Sequence, residues 1–483
     1  MSKYYLSILS FYLIFAPYLR LPGLRFHDSQ RIWQLLVIST VSLCLIYQWY
    51  WQKKETRKIA LSIPSNTLGP YLLGGLFLSG LISVFLAEYV AYALLEFSFI
   101  FLLVLLIIAL SSVDQKNLQR LGRYIFITAV LYSSFYTIIF IGNYITSFLN
   151  PMVLLWPNKI TYSISFGDVT VTGKDILYFS NKRFFNHTQT WTFPILICAV
   201  LFYKKRIDRW FRVEVVLLFI LTSIWWLLVF ASGGRGTLIA VIASSILVLL
   251  LFKNKAVSYV KTCFSTLFTG LAGYLFFYIY LPGGREAEVL RFTDNNRFDL
   301  WQNALGLWLE NPIFGIGPMH YAVREGLPEE AHPHNFFVQF LTEWGILSFM
   351  LLACLLFIFA RSTFKLQSMR KFQQSNFIVV IAMYASIGAA LIHSLVSGVM
   401  HTPMSQMWLV PITAWILAWN HKNDMKYYNK HLIATLLLLL NVTILVLTIP
   451  IIDDLSAGYF EYIEKFRESK LCPRFWDQSL IPF

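Results

Sequence analysis

Thirteen apolar runs pattern the 483-residue chain, separated by short polar stretches: 4–19, 31–51, 68–87, 89–110, 124–149, 190–203, 213–231, 236–252, 257–281, 340–360, 376–396, 405–420 and 432–452. A helix needs about 20 mostly apolar residues to cross a bilayer. The first, sixth and twelfth runs fall short of that length, so the pattern predicts an all-α polytopic membrane protein of about 12–13 spans. No internal repeat or low-complexity linker interrupts the series. A single membrane domain over 1–452 is expected, with a tail at 453–483.

The polar stretches alternate in character. Every second one is basic: KKETRK within 52–67, KNLQRLGR within 111–123, KKRIDRWFR at 204–212, KNK within 253–256, Arg361 to Lys371, and KNDMKYYNK within 421–431. Lys and Arg in short loops favour the cytoplasmic side. With the N-terminus inside, all six loops agree with strict alternation.

Composition sharpens this picture. The chain is 57% hydrophobic and only 13% charged, against about 25% charged in ordinary soluble domains. Disordered, collagen-like and small disulfide-rich classes are excluded. In a soluble protein the net charge of +14 would point to nucleic acid. Here the inner side holds 23 of the 39 Lys and Arg and 5 of the 25 acids, a surplus of +18 inside against −4 outside. The bulk charge is a topology signal and implies no nucleic-acid partner. Cys44, Cys198, Cys263 and Cys354 lie in apolar runs and Cys472 in a polar segment, so no internal disulfide is expected. The N-terminus lacks a small-residue cleavage site and reads as a retained first helix.

Three outward stretches are long: 150–189, 282–339 and the tail. Loops of this length without a span of their own are functional or disordered. Within 282–339, Trp301, Leu305, Trp308 and Leu309 have helical spacing and NPIFGIGP supplies turns. Any chemistry should face outward at this partly helical loop. The outer rim also carries acidic stretches at 325–330 and 453–468, read as solvated loop charge.

Three constellations carry candidate chemistry. Arg235 sits in SGGRGT at the start of the eighth run. Its glycines admit close backbone approach and the following helix N-terminus favours an anion, so it can clamp a phosphate or diphosphate bidentately. It can equally snorkel to lipid headgroups. Arg297, in DNNRFDLWQNAL, reads either as a second phosphate-binding arginine, with Arg291 nearby, or as a solvated charge paired with Asp294 or Asp299. His334, in AHPHNFFVQFLTEWG, lies after Pro333 at a helix start with His332 and Asn335. It suits general-base work near neutral pH or a helix-start hydrogen bond. A zinc site from His320, His332 and His334 lacks thiol ligands and HExxH spacing. Gly74–Gly75 in the third run should serve helix packing. Charges inside spans are nearly absent, with Glu96 the one acid that would suit an ion-coupled transporter.

SGGRGT, then NNRFDLWQNALGLWLENPIFGIGPMHYA, then AHPHNFFVQFLTEWG occur in this order over roughly 180–420. Together they resemble the O-antigen ligase and polymerase superfamily, which includes bacterial protein O-oligosaccharyltransferases. RFFNHTQTWTFPIL (183–196) and the tail motif CPRFW also look like segments of that family. The resemblance implies a GT-C-like membrane glycosyltransferase of the bacterial inner membrane with its site facing the periplasm. It would need no cofactor or metal, and would transfer glycan from a polyprenyl (undecaprenyl) diphosphate to a hydroxyl. Arg235 and Arg297 would bind the diphosphate and His334 would activate the acceptor. Arg291, His332, Asn335, Glu343 and Arg183 would line the substrate site. The preferred acceptor is lipid A-core. A serine or threonine of an exported protein, a growing glycan chain (polymerase), or a non-enzymatic exporter stand as alternatives. Direct displacement, with no carboxylate placed for a covalent intermediate, predicts inversion at the anomeric carbon.

Overall fold

The structure, a computed structural model, describes residues 3–22, 24, 26–51, 58–61, 68–112, 115–149, 179, 182–206, 213–280, 297–323, 331–367, 374–420, 426–465 and 475–476. Arg291, the acidic stretch 325–330, Cys472, most of the 150–189 loop and the first part of the 282–339 loop lie outside the described residues, as does most of the tail beyond 465.

Each apolar run falls on one helix. They are α1 (Lys3–Phe15, prolonged by a 3-10 turn Ala16–Tyr18), α2 (Phe26–Trp51), α3 (Leu68–Leu86), α4 (Val90–Ser111), α5 (Gln115–Leu149), α6 (Lys182–Arg206), α7 (Val213–Ser232), α8 (Arg235–Phe252) and α9 (Val257–Tyr274, ending in a π turn Leu275–Tyr280). After two short helices in the long loop, α10 (Arg297–Glu310) and α11 (His320–Val323), come α12 (Phe336–Gln367), α13 (Gln374–His393), α14 (Pro403–Asn420) and α15 (Lys430–Lys465). The all-α polytopic class stands. Its one departure among the described residues is an antiparallel pair, β1 (Lys58–Leu61) with β2 (Lys426–Asn429), Lys58 opposite Asn429. That pair joins two loops which charge alternation puts on the same, inner side.

Nine of the described helices are long and apolar enough to cross a membrane, by length and composition. Helices α6 and α14 do not meet that standard, yet they are the most enclosed: α6 is buried continuously from Phe185 to Leu201 and packs against α5, α7, α8, α9, α13 and α14. A helix screened from lipid on every side can carry polar groups, provided protein partners satisfy them. They do. Trp191 Nε1 donates to Ser405 Oγ (2.6 Å), Ser386 Oγ to the Trp191 carbonyl (2.9 Å) and Gln189 Nε2 to the Trp225 carbonyl (3.1 Å).

Two readings of the sequence need correction. Gly74 has open space around it and Gly75 only touches Leu351; the close approach of α3 to α12 is made by Gly80, where a Cβ would run into the Trp344 ring. Burial of charge is also less rare than the runs imply, because Arg31, at the head of the second run, is 1% exposed. Its guanidinium makes four hydrogen bonds. Nε donates to the Phe475 carbonyl (3.0 Å), Nη1 to Gln34 and Gln406 Oε1 (2.6 Å each), and Nη2 to the His401 carbonyl (2.7 Å). The guanidinium also lies over the rings of Phe475 and Phe99 at 4.6 and 5.2 Å. A buried arginine is tolerated when its donors find acceptors in this way. The CPRFW motif thereby gains a physical role: its Phe-Trp returns to the bundle, where Trp476 is fully buried.

Candidate functional site

The NPIFGIGP turn repairs a break in α12. Gly345 interrupts that helix with φ 74° and ψ 174°, a conformation essentially restricted to glycine. The interruption exposes backbone groups that need partners. Ile316 N–H donates to the Thr342 carbonyl and Gly317 N–H to the Glu343 carbonyl (3.0 Å each), while Ile346 N–H reaches the Pro312 carbonyl at 2.9 Å. Ser83 Oγ adds a second donor to the Glu343 carbonyl at 3.0 Å. Gly315 must also be glycine, since a Cβ there would overlap the Glu343 backbone. The splice fixes the outer loop to the start of α12.

Asn335 caps that start, its Oδ1 accepting from Phe337 N–H (3.0 Å) and Val338 N–H (3.2 Å), as the sequence leads one to expect of an asparagine ahead of a helix. Immediately before it, His334 takes φ 53°, in the left-handed region that costs a non-glycine residue about 1–3 kcal/mol and concentrates at functional sites. His334 is buried; its N–H donates to His332 Nδ1 (3.1 Å) and the two rings meet edge to face at 4.3 Å. Trp301 Nε1, one turn into α10, donates to the Pro333 carbonyl at 2.8 Å. Arg297 opens that same helix, so the bond ties the arginine's helix to the histidine's loop.

Around these residues stand three more histidines, one of them, His187, within RFFNHTQTWTFPIL. His187, in the first turns of α6, bonds Ser397 Oγ through Nε2 (2.8 Å) and Thr402 Oγ1 through Nδ1 (3.3 Å). Its ring meets that of His393, the last residue of α13, at 5.3 Å. Arg183 and His334 both lie close enough to His187 to act on it electrostatically, and Arg297 does the same to His393. His401 lies 5.6 Å from His332, ring to ring. The SGGRGT loop closes the cluster: Gly234 rests against the Asn186 amide and Gly236 against the His393 ring. Arg235 is half-buried between them, its N–H donating to the Gly233 carbonyl at 2.8 Å.

The structure thus brings together His332, His334, Arg297, Arg183 and the loop bearing Arg235, all at helix ends that charge alternation assigns to one face. Two further motif residues have hydrogen-bond partners of their own. Glu343 is buried, accepting from Gln339 Nε2 (3.2 Å) and the Tyr321 N–H (3.3 Å), so its carboxylate braces α11 against α12. His320 is held apart from His332 and His334, its Nε2 accepting from Tyr89 N–H (2.9 Å) and Nδ1 donating to the Pro318 carbonyl (2.9 Å). Among the described residues no group of three His, Cys, Asp or Glu gathers as a metal site. Glu96 is buried in α4.

A polytopic bundle with a histidine and arginine cluster at one end of its helices defines a class of membrane enzyme or binding protein. Residues 217–353, from α7 through the break in α12, match the family model Wzy_C, described as O-antigen ligase. That segment is similar to the O-antigen ligase family. It carries Arg235, Arg297 and His334, and excludes His187, His393 and His401. No curated protein matches the chain.

Proposed function

We propose that the protein transfers a glycan from a polyprenyl (undecaprenyl) diphosphate carrier to a hydroxyl of lipid A-core at the periplasmic face of the bacterial inner membrane. One observation carries the reading: His334, in a strained backbone conformation, shares a helix-end cluster with Arg297 and the loop of Arg235. The imidazole takes the proton of the acceptor hydroxyl while that oxygen bonds the anomeric carbon. The bond from that carbon to the diphosphate oxygen breaks, its electron pair leaving with the diphosphate. Arg297 and Arg235 face the charge that develops there. The attack is direct, so the anomeric carbon inverts, and no step calls for a divalent ion.

The test is transfer by the purified protein from an undecaprenyl-diphosphate-linked glycan to lipid A-core, beside a serine-bearing exported protein. Product on lipid A-core, inverted and undiminished in EDTA, is expected. Product only on the protein would reassign the acceptor; loss in EDTA restored by a divalent ion would overturn the metal-free step.

A further inference from the structure

One buried group at the cluster has no part in this mechanism. His393 is 4% exposed, and its Nδ1 lies 2.8 Å from Thr190 Oγ1. Thr190 and Thr237 both donate their hydroxyl hydrogens to the Asn186 carbonyl, at 3.0 and 2.9 Å. With those hydrogens committed, Nδ1 of His393 is the donor toward Thr190, and Nε2 is the free edge of the ring. No described residue hydrogen-bonds to it. It stands against Gly236, where any side chain would collide with it.

Gly236 is the second residue of the 18-residue helix α8. The first N–H groups of a helix lack partners within it and attract anions. The buried imidazole edge, the helix start and the charge of Arg297 at His393 therefore converge on one spot. Resting on the reading given under Proposed function, we infer that His393 Nε2 and the first turn of α8 bind a phosphate of the diphosphate leaving group. An arriving diphosphate supplies the negative charge that a protonated imidazole needs. Nδ1–H stays on Thr190 while Nε2–H donates to a phosphate oxygen. Glycine at 236 leaves that edge open.

The two ring nitrogens separate this role from a structural one. Glutamine places an amide near Nε2; asparagine places one near Nδ1 and preserves only the contact with Thr190. Binding of inorganic diphosphate and of farnesyl diphosphate is measured by calorimetry on the full chain in phosphatidylcholine nanodiscs. His393→Ala and His393→Asn should each weaken binding about tenfold or more, the loss of a charge-assisted hydrogen bond, with His393→Gln staying within about threefold of the parent. The reverse order, with asparagine retaining affinity and glutamine losing it, overturns the inference, as does equal affinity in all variants. Phosphatidylglycerol nanodiscs form a further arm: His393-dependent competition there would assign the pocket to a lipid headgroup and also overturn it. Failure of the parent protein to transfer glycan would sink the functional reading, whatever the order of the variants.

Discussion

The tail's return to Arg31 can be tested quantitatively. Arg31→Met removes four hydrogen bonds and two ring contacts in one step. Gln406 Oε1 keeps a donor in Gln34 Nε2 (3.1 Å), whereas buried Gln34 Oε1 loses the donor that Arg31 supplied. The carbonyls of His401 and Phe475 also lose their donor, and an orphaned buried acceptor costs about 1–3 kcal/mol. The ring contacts add about 0.5–2 kcal/mol each, offset in part by the apolar stem that methionine keeps. A net loss of about 3 kcal/mol is expected. Truncation after residue 470 removes the Phe475 carbonyl and ring, so it should share part of that loss. The double variant should be less destabilised than the sum of the singles by about 1–3 kcal/mol. Unfolding in mixed micelles, monitored by tryptophan fluorescence, measures the cycle. Strict additivity, or Arg31→Met unfolding like the parent, would refute the tail-to-Arg31 coupling.

Three further outcomes follow from the geometry around α12. Gly345→Ala meets the Ile313 carbonyl, a backbone atom that cannot swing aside. With about 1–3 kcal/mol of conformational strain it should lower the thermal midpoint, whereas Gly74→Ala, in open space, should leave the midpoint unchanged. Asn335→Ala removes the α12 cap and should cost about 0.5–2 kcal/mol, read in the same thermal scan, with transfer reduced because His334 adjoins the cap. Trp301→Phe keeps the ring but deletes the donor to Pro333. It should reduce turnover more than stability, and unchanged turnover would show that α10 does not hold the histidine's loop.

The helices were legible because lipid exposure writes hydropathy into the chain, and all thirteen runs fall on helices. What hydropathy could not delimit was the polar first turns of α6, which begin eight residues before the 190–203 run and carry Asn186 and His187. Those polar residues are sheltered by neighbouring helices that a linear scan does not see. The motifs around Arg235, Arg297 and His334 stood out because glycine, proline and asparagine mark unusual backbone. The stretch HSLVSGVMHT, which bears His393 and His401, acquires meaning only when the fold sets it against α6 and His332. Glu343, within the same motif as His334, has a carboxylate held by Gln339 and the Tyr321 N–H, which no linear pattern shows. CPRFW resembles a family tail in sequence, and its physical role lies in the contacts of Phe475 with Arg31.

The central claim concerns one histidine and one arginine. Transfer from an undecaprenyl-diphosphate-linked glycan to lipid A-core should be measured for His334→Ala and Arg297→Ala, each shown by thermal scan to be folded. The account predicts that product formation falls at least about a hundredfold in both, in line with the loss of a general base or of a preorganised charge. Parent-level transfer by either folded variant would contradict it.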